Sequence, residues 1–82
     1  MTRRKPSAVQ LRALAFIEAH PQGFTATEFA EHLWDTASMM PHTVGKTAGS
    51  YLWRLEAMGL VTEDRQRLTA EGRERLREWS CQ

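Results

Sequence analysis

Residues 45–47 read Gly-Lys-Thr, the triplet that closes a Walker phosphate-binding loop. That loop also needs a glycine five positions before Gly45, where Met40 stands, and a strand ahead of it within a nucleotide-binding sheet. Neither is found, so nucleotide chemistry is set aside. His20, His32 and His42 are too widely spaced to read as a metal site, and no cysteine lies near any of them. The single cysteine, Cys81, cannot form an internal disulfide and has no cysteine neighbour to share a metal. No set of nucleophile, base and orienting group stands out, and no pair of carboxylates. The chain is therefore not expected to be an enzyme, and neither a cofactor nor a metal is expected.

The remaining chemistry lies in how the cations are distributed. Residues 1–12 carry Arg3, Arg4, Lys5 and Arg12 with no acid, whereas residues 13–35 carry Glu18, Glu28, Glu31 and Asp35 with no Lys or Arg. Residues 36–54 then carry Lys46 and Arg54, again with no acid. A formal net charge of +1 says little, because a phosphate-facing surface needs a basic patch and not a basic average. The two acid-free stretches are where such a surface would lie.

These groups must be positioned by one small core. With 82 residues, 41% apolar and 26% charged, the chain has the composition of a single folded domain. Residues 1–6 read as a flexible basic arm and residues 7–82 as the folded unit. No apolar run approaches the length of a membrane helix and the first residues do not resemble a signal peptide, which gives the expectation of a cytoplasmic protein with no membrane partner.

Ser7, with Gln10 three positions on, predicts the start of a first helix whose apolar residues Leu11, Leu14, Ala15 and Ile17, with Phe16 beside them, recur at three-to-four-residue spacing until residues 20–23 break the pattern. Thr25 and Glu28 form a capping box before a second helix from about Ala26 to Trp34, with Phe29, Ala30 and Leu33 inside. Asp35 to Thr43 is read as a surface connection, since Pro41 is not tolerated in a helix interior. Val44 to Met58 predicts a third helix with Val44, Ala48, Tyr51, Leu52, Leu55 and Met58 on its inner side, ended by Gly59 in a left-handed cap. Residues 60–62 and 67–68 flank Glu63, Asp64, Arg65 and Gln66 and predict a short β-hairpin. Thr69 caps a last helix from Ala70 to about Trp79, with Leu76 and Trp79 inward. Trp34 also reads as core, and Trp53 as a cover for Met39 and Met40.

Residues 51–61 (YLWRLEAMGLV) followed by residues 67–76 (RLTAEGRERL) resemble the winged helix-turn-helix regulators of the MarR and PadR kind, and residues 24–33 (FTATEFAEHL) look like the first helix of their helix-turn-helix. The resemblance implies a mainly α fold with a small β-hairpin wing: three helices, the wing and a C-terminal helix. It implies sequence-specific binding of double-stranded DNA, and so transcription regulation, through a recognition helix in the major groove. On that helix Lys46, Thr47, Gly49, Ser50, Trp53 and Arg54 would face outward. Thr47 and Ser50 suit base edges, Gly49 allows close backbone approach, and Lys46 and Arg54 suit phosphate or guanine. Arg65 and Arg67 would sit on the wing, while Arg3, Arg4 and Lys5 would follow the minor groove. The connection of residues 35–43 is longer than the about three to four residues of a usual helix-turn-helix. It motivates the alternative expectation, a protein-interaction module that contacts a partner through Met39 and Met40. A homodimer is left open.

Overall fold

The computed structural model describes residues 7–80, so the basic arm with Arg3, Arg4 and Lys5, and also Cys81, lie outside the described residues. Four helices follow in chain order: α1 (Ala8–Ala19), α2 (Ala26–Leu33), α3 (Pro41–Ala57) and α4 (Ala70–Ser80), with one 3₁₀ turn at Thr36–Ser38. Helix α2 packs on α3, and α1 packs on both α2 and α4.

Local chemistry accounts for each boundary. Ser7 caps α1 by accepting from the Gln10 amide at 3.1 Å. Thr25 and Glu28 complete the capping box of α2, the Thr25 amide donating to Glu28 Oε1 at 2.8 Å and the Glu28 amide to Thr25 Oγ1 at 3.1 Å. Phe24 stacks on Phe29 with ring centroids 5.6 Å apart, the hydrophobic staple that often accompanies such a cap. Arg12 donates to the Leu33 carbonyl at 3.0 Å, satisfying an acceptor that the end of α2 leaves free.

The core gathers Leu14, Ile17, Phe29, Leu55 and Leu60, all essentially inaccessible, around the junction of α1, α2 and α3. In α3 Val44, Ala48, Leu52 and Leu55 are buried as the helical spacing predicts, whereas Tyr51 is half-buried and Met58, also read as inward, is 44% exposed. In α1 Leu14, Phe16 and Ile17 are buried, together with Ala13, while Ala15 is exposed and Leu11 only half-buried. Residues 11–17 (LRALAFI) are apolar at nearly every position, so their periodicity defines no single face.

Two further expectations need correction. The connection assigned to residues 35–43 is shorter, because α3 begins on Pro41. A proline at the first helical position loses nothing, since its missing N–H would be unsatisfied there anyway. The 3₁₀ turn is held by Asp35, whose Oδ1 accepts from the Ala37 amide at 3.2 Å. Met39 packs against the core, so that of the two methionines in this connection Met40 is the exposed one.

The β-hairpin wing is not formed. Among the described residues there is no strand or sheet, only an isolated antiparallel bridge between Val61 and Leu68. Thr62 still donates its amide to Arg67 O at 2.9 Å and Thr69 to Leu60 O at 3.0 Å, but the ladder stops there. Asp64 accepts from Thr62 Oγ1 and from the Gln66 amide, and Arg65 donates its amide back to Thr62 O. These local bonds wrap the segment into turns that compete with strand pairing. No glycine stands between residues 62 and 67 to make a tight reversal, and Arg65 itself takes the left-handed conformation, with φ 61°. The fold is thus four helices with a bridge-closed turn, and the winged architecture is overturned.

The turn is anchored at both ends. Gly59, with φ 78°, ends α3 in a left-handed cap. Leu60 N donates to Leu55 O at 3.0 Å and Gly59 N to Glu56 O at 2.9 Å. Thr69 Oγ1 donates to Gly59 O at 2.6 Å and accepts from the Gly72 amide at 3.1 Å, so one hydroxyl joins the end of α3 to the start of α4. Gly72 lies against the same segment: a Cβ there would fall 2.1 Å from the Leu60 carbonyl oxygen.

Candidate nucleic-acid interface

Because Val44, Ala48, Leu52 and Leu55 are committed to the core, the opposite side of α3 must face water. Lys46, Ser50, Trp53 and Arg54 are exposed there, with Thr47 and Gly49 half-exposed. Two shallow adjoining grooves run along this face. One is lined by Lys46, Thr47, Ser50, Tyr51 and Arg54, the other by Lys46, Gly49, Ser50, Trp53 and Arg54. All six outward positions read from the sequence on this helix are therefore brought together.

No carboxylate interrupts this stretch between Asp35 and Glu56. Glu56, at its far end, is already engaged: Arg65 Nε donates to its Oε1 at 2.7 Å. The pair leaves Lys46 and Arg54 as the charges of the face. They stand eight residues apart, about 12 Å along the axis at 1.5 Å per residue.

Tyr51 adds a group that the sequence reading assigned to the interior. It is half-buried, edge-on to Trp34 with centroids 5.6 Å apart, and borders the first groove. Burial raises its phenol above the usual tyrosine range, only partly offset by a hydrogen bond with Ser7 and by the nearby Arg54 charge. The phenol thus stays protonated at neutral pH and is available as a donor. Its place at the rim of the inner arc was the only sequence signal, since an amphipathic ring at such a boundary presents its polar tip to water.

The expected wing cations do not join this face. Arg65 is held by Glu56 in the bridge-closed turn. Arg67 borders a different cavity, with Ile17, Glu18, Pro21, Leu68 and Arg73. Gln66, in the same turn, accepts from the Phe24 amide at 2.9 Å and so acts structurally. Trp53 does not cover the methionines as expected; it is 61% exposed, and Met40 is 63% exposed.

No group of three or more His, Cys, Asp or Glu among the described residues is arranged to hold a metal ion. No helix among them is long and apolar enough to cross a membrane. Comparison with protein-family models, with curated proteins and with solved structures finds no match to this chain.

Proposed function

We propose that this chain is a cytoplasmic, non-enzymatic protein that binds duplex DNA sequence-specifically, in the service of transcription regulation, by laying the outer face of α3 in the major groove. The observation that carries the reading is the acid-free, cation-flanked face itself: Lys46 and Arg54 with Thr47 and Ser50 between them. The about 12 Å between the two cations is comparable to the roughly 12 Å width of the major groove. A helix inclined across the groove can therefore bring one cation to each wall and the hydroxyls to base edges. Tyr51 supplies a further donor at the rim. The likeness of residues 24–33 and 51–61 to MarR and PadR regulators supports the same role for α3, apart from the wing, which is absent among the described residues.

Salt dependence tests the reading. Each phosphate contact contributes about 0.9 to the slope of log K against log salt. Lys46→Ala and Arg54→Ala should each flatten the slope by about one unit and weaken all duplexes alike. Thr47→Ala and Ser50→Ala should instead reduce preference among sequences, by up to about 1–3 kcal/mol per base contact. Absence of salt-dependent affinity for any duplex at low ionic strength ends the proposal.

One observation favours a second reading. Met40 is an adaptable apolar side chain left in solvent at the start of α3, as a protein-interaction module would need. Under that reading Met40→Asp abolishes binding of a protein partner while the four α3 substitutions change nothing. Met39 contributes less to such a surface, being spent on the core.

A further inference from the structure

Among the groups on the outer face of α3, Trp53 is the one that neither the fold nor phosphate neutralisation accounts for. Trp34 is packed edge-on against Phe29 and Tyr51, and Trp79 is half-buried. Trp53, by contrast, makes no ring contact among the described residues and is 61% exposed. A tryptophan buries roughly 150–250 Å² when covered, so on the order of 100 Å² of indole remains in water. That surface lies within the groove formed with Lys46, Gly49, Ser50 and Arg54. Gly49, one turn before it, presents no side chain, and a Cβ there would meet nothing within 4 Å. The indole is thus unscreened on that side and flanked by cations, so an approaching surface must be anionic around its edges and apolar at one point.

The major groove offers such a surface. Each base-pair edge there displays hydrogen-bond donors and acceptors, and its one apolar group is the C5 methyl of thymine. An indole pressed on polar edges would desolvate them without replacing their hydrogen bonds, at a cost. Pressed on a methyl group, it removes apolar surface from water on both sides.

Resting on the DNA-binding reading above, we infer that Trp53 is a specificity-determining residue that selects a pyrimidine C5 methyl group in the major groove. The recognised feature is the methyl group and not the base, so 5-methylcytosine serves as well as thymine. Burying one methyl is worth a threefold to tenfold difference in affinity, on the order of 1 kcal/mol.

The test measures the full chain by fluorescence anisotropy at low salt against two pairs of duplexes. One pair is alternating dA-dT and alternating dA-dU; the other is alternating dG-dC with and without 5-methylation of every cytosine. The parent should bind the methylated member of each pair about threefold to tenfold tighter. Trp53→Ala should bring both ratios to about one, and Trp53→Phe should keep most of the preference. Thermal melting of the variants establishes that they fold. Salt-dependent binding with ratios of one in the parent overturns the inference and leaves the DNA-binding reading standing. No binding to any duplex removes both. Tighter binding of single-stranded dT and dU homopolymers than of any duplex, equal for the two, assigns Trp53 to base stacking and overturns the methyl preference. A loss of self-association in Trp53→Ala with unchanged methyl ratios makes the indole a contact between two copies and equally overturns it.

Discussion

Replacing Gly72 by alanine sets two well-understood effects against each other, and the structure decides which wins. By propensity alone, a glycine inside a helix is about 0.8–1 kcal/mol worse than alanine, so Gly72→Ala should stabilise α4. The added Cβ, however, would stand 2.1 Å from the Leu60 carbonyl oxygen and 3.0 Å from its carbon. That carbonyl has little room to retreat. It accepts from the Thr69 amide at 3.0 Å, and Leu60 is itself tied to Leu55 by its own N–H at 3.0 Å. Helix α4 must instead move away by about 1 Å, loosening Leu76 from the core and straining the Thr69 cap. Overpacking typically costs about 1–3 kcal/mol, and weakening one hydrogen bond adds about 0.5–1.5 kcal/mol. Subtracting the propensity gain leaves a net loss of about 0.5–3.5 kcal/mol. For a domain of this size each kcal/mol lowers Tm by about 4–8 °C. Calorimetry or a thermal melt followed by circular dichroism reads the shift directly. A Tm equal to or above that of the parent would refute the close approach of α4 to residues 59–61, and with it the account of how the bridge-closed turn is fixed.

The same substitution at Gly45 should act in the opposite sense: a Cβ there meets nothing within 4 Å, so Gly45→Ala should stabilise by up to about 1 kcal/mol in a denaturant titration. Leu55→Ala, at a residue 1% exposed, should cost about 2–5 kcal/mol by the same measurement, and a near-zero loss would mean that the faces of α3 are reversed. The acid limb of stability should contain Glu28 and Asp64. Hydrogen bonds from Thr25 hold Glu28 below its ordinary value of 4.5, and bonds from Thr62 and Gln66 hold Asp64 below its ordinary 3.8. A depressed carboxylate stabilises fully above its unfolded pKa and loses that contribution as pH falls through the folded one. Melts of the parent should therefore decline below about pH 4.5, and Glu28→Gln, which can keep the capping geometry, should decline less steeply over that range.

What the sequence makes legible here follows from how local each signal is. Thr25 with Glu28, Gly59 after α3, and the spacing of Val44, Ala48, Leu52 and Leu55 act within one or two helical turns, and each is found where it was read. The signals that misled depend on competition. At residues 60–68 the β-forming residues at 60–62 and Leu68, flanking a polar centre, favour a hairpin, yet Thr62, Asp64 and Arg65 offer the backbone closer partners, and the ladder is reduced to one bridge. In residues 11–17 there were too many apolar positions for periodicity to choose among. The candidate site divides along the same line. Lys46, Thr47, Gly49, Ser50, Trp53 and Arg54 were found together because one rigid helix fixes their relative directions once its inner face is known. Arg65 and Arg67 are separated by one residue, yet one is paired with Glu56 while the other borders a separate cavity beside Glu18 and Arg73. A charge on a helix inherits its direction from the core, whereas a charge on a turn is free to be taken up locally, as Arg65 is by Glu56. For that reason the α3 face carries the functional reading, and the turn cations do not.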